Sequence, residues 1–502
     1  MKISSSKNYV IFDFDASSGR TITGAYDGKK ISFDEIHRFE NRPVFINGVL
    51  YWDILRLYSE LKVGLLDSVK NCGQISGIGV DTWGVDFGFL DEYGSILSNP
   101  IHYRDDRTNG VMEKLFSIIP RDILFRKTGC YINQIMSLFQ LYSIKLLQPL
   151  MLKKVSKFLM MPDLFNYFLT GIAVTEETDA CMTLLLNLKT KKWVKEIIEI
   201  AGISYEIMPE LISAGTIIGK LQDSVCKELE ITKLPVIAPA THDTSSAVTG
   251  IPIREPIKDW AFISAGTWCI LGVETAEPIL NPEVLKYEFA NEIGVDGFYH
   301  FLSLITGLWI LEECRRKWIM EDGKKITWEE LDKLSGILEK SVSFKCFIDV
   351  GDQRFSSPQN DMPKVIINFC KETGQTAPES RSEILRCIYL SLALRFKKGI
   401  ESLKKFTNRD INKIYMVGGG VSSKLLCQLT ANITGLEVIA GPKETTAIGN
   451  MIMQLKATGE INSLQEGRIL AANSSNFIFY EPKEIQLFKE IYNDYLKLIK
   501  KI

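Results

Sequence analysis

The sequence predicts an α/β protein of two similar domains flanking a central cleft, for three reasons. Its 502 residues exceed what one core supports, since single cores stop growing near ~250–300 residues and longer chains divide. Short apolar strands are interleaved with amphipathic helices rather than segregated from them. A small-residue hairpin at residues 12–24, FDFDASSGRTITG, also has a counterpart at residues 262–272, FISAGTWCILG, roughly 250 residues later. The pair suggests a duplicated domain in which each copy turns one hairpin loop toward a shared cleft.

In chain order, residues 9–13 form the first strand, and the chain returns at 21–26 before an Asp27-Gly28 turn, the pattern of a hairpin. Asp53 is placed to cap a helix whose residues Ile54, Leu57, Leu61 and Leu65 recur on one face and which ends near Gly73. A strand at 75–80 runs into Asp81-Thr82-Trp83-Gly84, after which Val85, Phe87 and Phe89 alternate. Residues 110–235 read as helical cover and an inserted cap. An apolar strand then begins at Leu234 and delivers Thr241-His242-Asp243-Thr244 at its end, where α/β folds place their chemistry.

Gly250, Pro252 and Pro256 interrupt periodicity across 246–260, and such punctuation marks a linker. The expected domains are therefore 1–245 and 246–502. The second opens with a strand at 261–264, the loop Ala265-Gly266-Thr267, and a return strand at 269–273. Farther on, the strand 414–417 meets Gly418-Gly419-Gly420 and a helix that Ser422 is placed to cap, with Leu425, Leu426 and Leu429 turned inward.

Composition removes several function classes. Hydrophobic residues at 46% and charged residues at 24% supply two globular cores and argue against disorder. A net charge of −2 provides no basic stripe for nucleic acid. The N-terminal apolar run is broken by Asp13 and is too short for a signal segment or a membrane span, so a cytoplasmic protein is expected. The ten cysteines contain no C-x-x-C pair, and with only four histidines they read as buried thiols rather than metal ligands.

Three loops suit phosphate, because small residues let backbone N–H groups come close. They are Ala16-Ser17-Ser18-Gly19-Arg20, with Asp13 placed to hold Mg²⁺ through water; Ala265-Gly266-Thr267, with a free hydroxyl; and the glycine triplet around Gly419. None is a P-loop. Each is also readable as a plain turn, although three successive glycines between strand and helix cost considerable unfolded-chain entropy. Asp243 can accept a hydroxyl proton or simply cap a helix, and His242 suits positioning better than base catalysis. Trp83, Gly84, Asp86 and Arg104 are candidates for a sugar site, while Asn291, Glu292, Leu308 and Trp309 complete either a ligand wall or a core.

Taken in order, the segments DFDASSGR, GVDTWGVDFGFLD, YRDDRT, MPDLFNYFLTG, APATHDTSSAV, SAGTW, NEIGVDG, GLWILE, VGGGVSSKLLCQLTA and GPKETTAIGN resemble the FGGY family of carbohydrate kinases over nearly the whole chain. The resemblance implies two ribonuclease-H-like domains of the actin and hexokinase type. It implies MgATP as phosphoryl donor and a ketose such as L-rhamnulose as acceptor, with a ketose 1-phosphate as product. It makes Asp243 the proton acceptor and, with Asp13, a magnesium ligand. Gly84, His242 and Thr244 would lie at the sugar; residues 16–20, Thr267, Glu312 and Gly419 would lie at ATP. The chain departs from the family's usual residues at Asp15, where the first phosphate loop carries Gly, and at Leu304, Glu312 and Ile293, where Asn, Gln and Gly are usual. Another ketose, such as L-fuculose or L-xylulose, and a non-catalytic sugar or nucleotide sensor are the alternatives.

Overall fold

The computed structural model describes residues 6–254, 259–336 and 346–500; Pro256 of the expected linker lies outside them. The first sheet contains β1 (Lys7–Phe14), β2 (Ser18–Tyr26), β3 (Ile31–Glu40), β4 (Ile75–Thr82), β5 (Thr216–Lys220) and β6 (Pro235–Ala238), in the order β5-β6-β4-β1-β2-β3. The second contains β7 (Trp260–Ala265), β8 (Trp268–Thr275), β9 (Ala290–Ile293), β10 (Tyr299–Thr306), β11 (Lys413–Val417), β12 (Glu437–Ala440) and β13 (Ile478–Tyr480), in the order β9-β10-β8-β7-β11-β12-β13.

The two orders share one arrangement, to which the second sheet adds β9 at its outer edge. In each sheet a hairpin and a third antiparallel strand lie to one side of the first strand, β1-β2-β3 in one and β7-β8-β10 in the other. Two parallel strands lie to the other side, β4 and β6, or β11 and β12. An antiparallel strand then closes that edge, β5 or β13. Parallel neighbours end together, so the duplication aligns the loops that follow β1, β4 and β6 in one sheet and β7 and β11 in the other.

Asp53 caps the helix Ile54–Cys72 by accepting from Arg56 N at 3.2 Å, and Ile54, Leu57, Leu61 and Leu65 are all buried against the first sheet. The triplet helix begins one residue later than its sequence suggests: residues 419–422 form a 3₁₀ turn, and Ser423 rather than Ser422 caps the helix Lys424–Thr434. Residues 110–235 contain the expected helices, but also short strands and the sheet strand β5. β5, at the sheet edge, has only half-buried and exposed residues, and this leaves little apolar pattern to read.

The other face of the first sheet is covered from the far end of the chain. Tyr9, Ile11, Ile22 and Ile31 share a buried cluster with Ile448, Met451, Ile452 and Leu455 of the helix Thr445–Ala457 and with Leu464 and Leu470 of the helix Leu464–Ser474. Gly250, read from the sequence as an interruption, instead closes the helix Asp243–Thr249. It presses against Thr445, while Gly449 presses against Ser246, each so closely that an added Cβ would fall about 2 Å from the facing carbonyl oxygen. The two helices therefore cross backbone to backbone.

All ten cysteines are free thiols; Cys346, Cys370 and Cys387, distant in sequence, converge in the second core with their sulfurs within 4.8 Å of one another. No helix among the described residues is long and apolar enough to cross a membrane.

Candidate active site

The ends of β1, β4 and β6 stand side by side. Asp13 pairs with Asp81 and Phe14 with Thr82 in the parallel ladder, and Thr82 bridges His242 just beyond β6. This register places Asp13 and Asp15, the Trp83-Gly84 turn and the start of the helix Asp243–Thr249 along one edge of the first sheet. Across from them Ser264 pairs with Val417, so the loops after β7 and β11 emerge together. Gly418 has φ +83°, the left-handed region that a side chain resists, and a Cβ there would fall 3.0 Å from the Ala265 carbonyl oxygen. The glycine triplet and the Ala265-Gly266-Thr267 loop thus form one surface.

Between the two edges lies a cleft of about 720 Å³. On its first-domain side it is lined by Asp13, Ala16, Ser18, Arg20, Trp83 and Gly84, with Arg104, His242, Asp243 and Thr244. On the second-domain side it is lined by Thr267, Gly418 and Gly419. Twelve of the sixteen expected site residues meet here, and Asp243 shares the space with the glycine triplet.

Four expected residues do not line it. Ser17 is exposed at the hairpin tip. Gly19 is already within β2, facing the Phe39 ring, so the hairpin loop is shorter than the sequence suggests. Asp86 is buried beneath the site, accepting from Trp52 Nε1 at 2.6 Å and Trp83 Nε1 at 2.9 Å; it fixes the Trp83 wall rather than meeting a ligand. Glu312 lies outside the lining, its carboxylate accepting from Arg315 Nη1 at 2.9 Å.

The backbone between Trp83 and Asp86 is held in an uncommon state. Val85 has φ 73°, costly for a β-branched residue at ~1–3 kcal/mol. Its carbonyl accepts from Ser137 Oγ at 2.6 Å and Gln140 Nε2 at 3.1 Å, which pin the turn and present Gly84 and Trp83 to the cleft.

Asp243 is held by two neighbours. Its Oδ1 accepts from Thr244 N at 2.5 Å and lies 3.5 Å from His242 Nε2, while His242 Nδ1 lies 3.5 Å from Glu292 Oε2. Burial alone would lower the His242 pKa, but Glu292, with Asp243 and Asp179, holds it up at about 10. The imidazole is therefore charged at neutral pH. Burial, opposed by His242 and reinforced by Asp15 and Asp13, pushes the Asp243 carboxyl up to about 6, close to the range in which a general base works.

Negative charge is crowded on this floor. Burial raises Asp13 and Asp15, and Asp13 raises Asp15 further. Asp81, whose Oδ1 is buried without a hydrogen-bond partner, is pushed well above the carboxylate range by burial and by Asp13. Arg20 offsets part of this by bridging Asp13 and Glu444, which occupies the guanidinium expected at phosphate.

Several lining residues escape the sequence reading. Lys443 brings a cation to the cleft, and Tyr131 and Asn133 come from the inserted cap, whereas Leu304, named above where the family has Asn, adds an apolar face. Lys443 lies within GPKETTAIGN, where its neighbour Pro442 is the only local cue. Glu292 lines the cleft as a ligand wall would, whereas Asn291 is structural, donating to Gly129 O at 2.8 Å.

Models of the FGGY family of carbohydrate kinases match both halves of the chain, the N-terminal domain over residues 9–250 and the C-terminal domain over 261–458. The rhamnulokinase of Oceanobacillus iheyensis is 39% identical over 468 residues, covering 93% of this chain and 97% of the relative. That of Halalkalibacterium halodurans is 41% identical over 466 residues, covering 92% and 96%. Among solved structures, gluconate kinase from Lactobacillus acidophilus superposes with a TM-score of 0.81 at 17% identity, covering 99% of this chain and 98% of that one. Glycerol kinase from Plasmodium falciparum with ADP gives 0.77 at 17% identity, with 99% and 98% coverage. With this two-domain architecture and these relatives, the chain belongs to the FGGY family of carbohydrate kinases and is an ATP-dependent sugar kinase.

Proposed function

We propose that the chain transfers the γ-phosphoryl group of ATP to the C1 hydroxyl of a ketose, L-rhamnulose, with Asp243 accepting the hydroxyl proton. The observation that carries the reading is the common cleft shared by Asp243 and the two phosphate-type loops. In the step, the sugar O–H bond breaks toward Asp243, the oxygen bonds to the γ-phosphorus, and the bond from that phosphorus to the β,γ-bridging oxygen breaks, leaving ADP. Asp243 then returns its proton to solvent. The lobe formed by 1–245 carries the sugar, against Trp83, Gly84, Arg104, His242 and Thr244, and the lobe formed by 246–502 carries the nucleotide at Thr267 and Gly419.

The crowded carboxylates fit a divalent cation, and Asp13 and Asp243 are the residues that would hold Mg²⁺. When bound it supplies charge neutralisation to the phosphates. On this reading the reaction belongs to the cytoplasm, where ATP is available.

The choice of sugar rests on curated relatives named rhamnulokinase at 34–41% identity. A panel of L-rhamnulose, L-fuculose and L-xylulose with coupled detection of ADP tests it. L-rhamnulose is expected to show the highest kcat/KM, and a preference for either other sugar would overturn the assignment while leaving the kinase intact.

The pH profile tests the base. As a carboxylate, Asp243 works above about pH 6, so kcat/KM is expected to fall about tenfold per unit below that. Glu292→Gln removes the group that does most to keep His242 charged; a neutral His242 no longer holds Asp243 down. The acid limb is then expected to move upward by ~1 unit or more, with the rate at high pH largely retained. An unmoved limb would show that Glu292 only packs.

A further inference from the structure

β10 has two working faces. Leu302 and Leu304 look into the cleft, while Ser303 and Ile305, alternating with them, line a separate cavity of about 260 Å³ on the opposite face. Its other walls are Lys286 to Phe289, Asp349 and Gly351, and the long helix Arg381–Thr407 through Arg395, Lys398 and Ser402. The space is about a third of the cleft's and suits an ion or small headgroup rather than a nucleotide.

Ser303 is only 2% exposed, yet its hydroxyl makes no hydrogen bond to the protein among the described residues. Lys398 is half-buried and has no carboxylate within salt-bridge distance among them. Of the cavity's two carboxylates, Glu288 pairs with Arg395, while Asp349 Oδ1 accepts from Gly351 N at 3.0 Å and its charge is shared with the surrounding cations rather than held in a salt bridge among the described residues. Set against that one carboxylate are three donors with no ion pair or hydrogen bond to it, the Ser303 hydroxyl and the Lys398 and Lys286 ammoniums. Burial and then the Arg395 charge depress Lys398, only partly opposed by Asp349 and Glu288.

We propose that this cavity is a second ligand site, for a tetrahedral phosphate-type oxyanion held by Ser303, Lys398 and Lys286, with Arg395 at its rim. Because β10 forms one wall of each space, an occupant bears on the same strand that presents Leu302 and Leu304 to the substrates. The site is thus placed to modulate the kinase without entering its cleft.

The test is thermal unfolding of the whole chain in inorganic phosphate against chloride at matched ionic strength, with saturating ADP filling the cleft loops. Wild type is expected to show a saturable rise of a few degrees. Lys398→Met and Ser303→Ala are each expected to lose most of that rise while keeping sugar-dependent ADP formation; Lys398→Arg should keep the rise. Glycerol phosphate run in parallel separates sources: an equal rise marks a phosphomonoester headgroup, and a rise with phosphate alone marks the free ion. No saturable rise in wild type, or an undiminished rise in both Lys398→Met and Ser303→Ala, would overturn the proposal.

Discussion

Asp243→Asn is expected to lower kcat by about 10³-fold, within the ~10²–10⁴ that a positioned general base contributes, while ATP affinity changes little. The substitution preserves shape, and its side-chain oxygen can still accept from Thr244 N, which lies 2.5 Å from Oδ1 in wild type. What it loses is the lone pair that takes the sugar proton, and with it one negative charge beside Asp13 and Asp15. Steady-state ADP formation with saturating sugar reads the first effect, and calorimetry with ATP reads the second. An Asp243→Asn variant that turned over at the wild-type rate would remove Asp243 from the chemistry; one that lost ATP binding as well would make it a nucleotide anchor instead.

The largest stability effect is expected at Arg468. Its guanidinium is 1% exposed and meets the fully buried Glu274 through two bonds, at 2.8 and 2.7 Å. It also donates to the carbonyls of Val248 and Thr249 at 3.1 and 3.3 Å, so one side chain ties β8, the end of the helix that begins at Asp243, and the helix Leu464–Ser474. Breaking a buried pair from one side costs ~3–5 kcal/mol, because the remaining charge is stranded. Arg468→Met should show that loss in urea unfolding, and adding Glu274→Gln should return part of it, since the neutral amide is cheaper to bury. A double variant no more stable than Arg468→Met would mean that packing, not charge, holds this junction. The pair also has a pH signature. Burial pushes Glu274 up, but Arg468 outweighs it and leaves the pKa below its ordinary 4.5. That contribution is therefore present above pH 4.5 and is lost as pH falls through the lower folded value.

The strand ends and loops of the cleft were legible because they are local patterns: an apolar run, then small or acidic residues, as at residues 9–16, 234–243 and 414–420. The same patterns mislead where backbone pairing continues past them. Gly19 and Arg20 read as loop, yet pair with Phe14 and Asp13 across the hairpin. Asp86 read as a ligand contact because an acid beside Trp83 and Gly84 suggests a sugar site; two indole N–H groups, one of them Trp52 from 34 residues upstream, draw it inward. Glu312 was placed by family position, and the structure pairs it with Arg315 one helical turn away. Lys443, Tyr131 and the Ser303 cavity were out of reach of the sequence, because each depends on which strand lies beside which.

The crossing at Gly250 and Gly449 carries a cost in time. The apolar underside of the first sheet leaves the ribosome with Tyr9 and Ile11, but the methionines that cover it are made some 440 residues later. At translation rates of ~5–20 residues per second, that face waits roughly 20 to 90 s for its cover. During that interval the nascent first lobe is a sticky surface for chaperones or for other nascent chains.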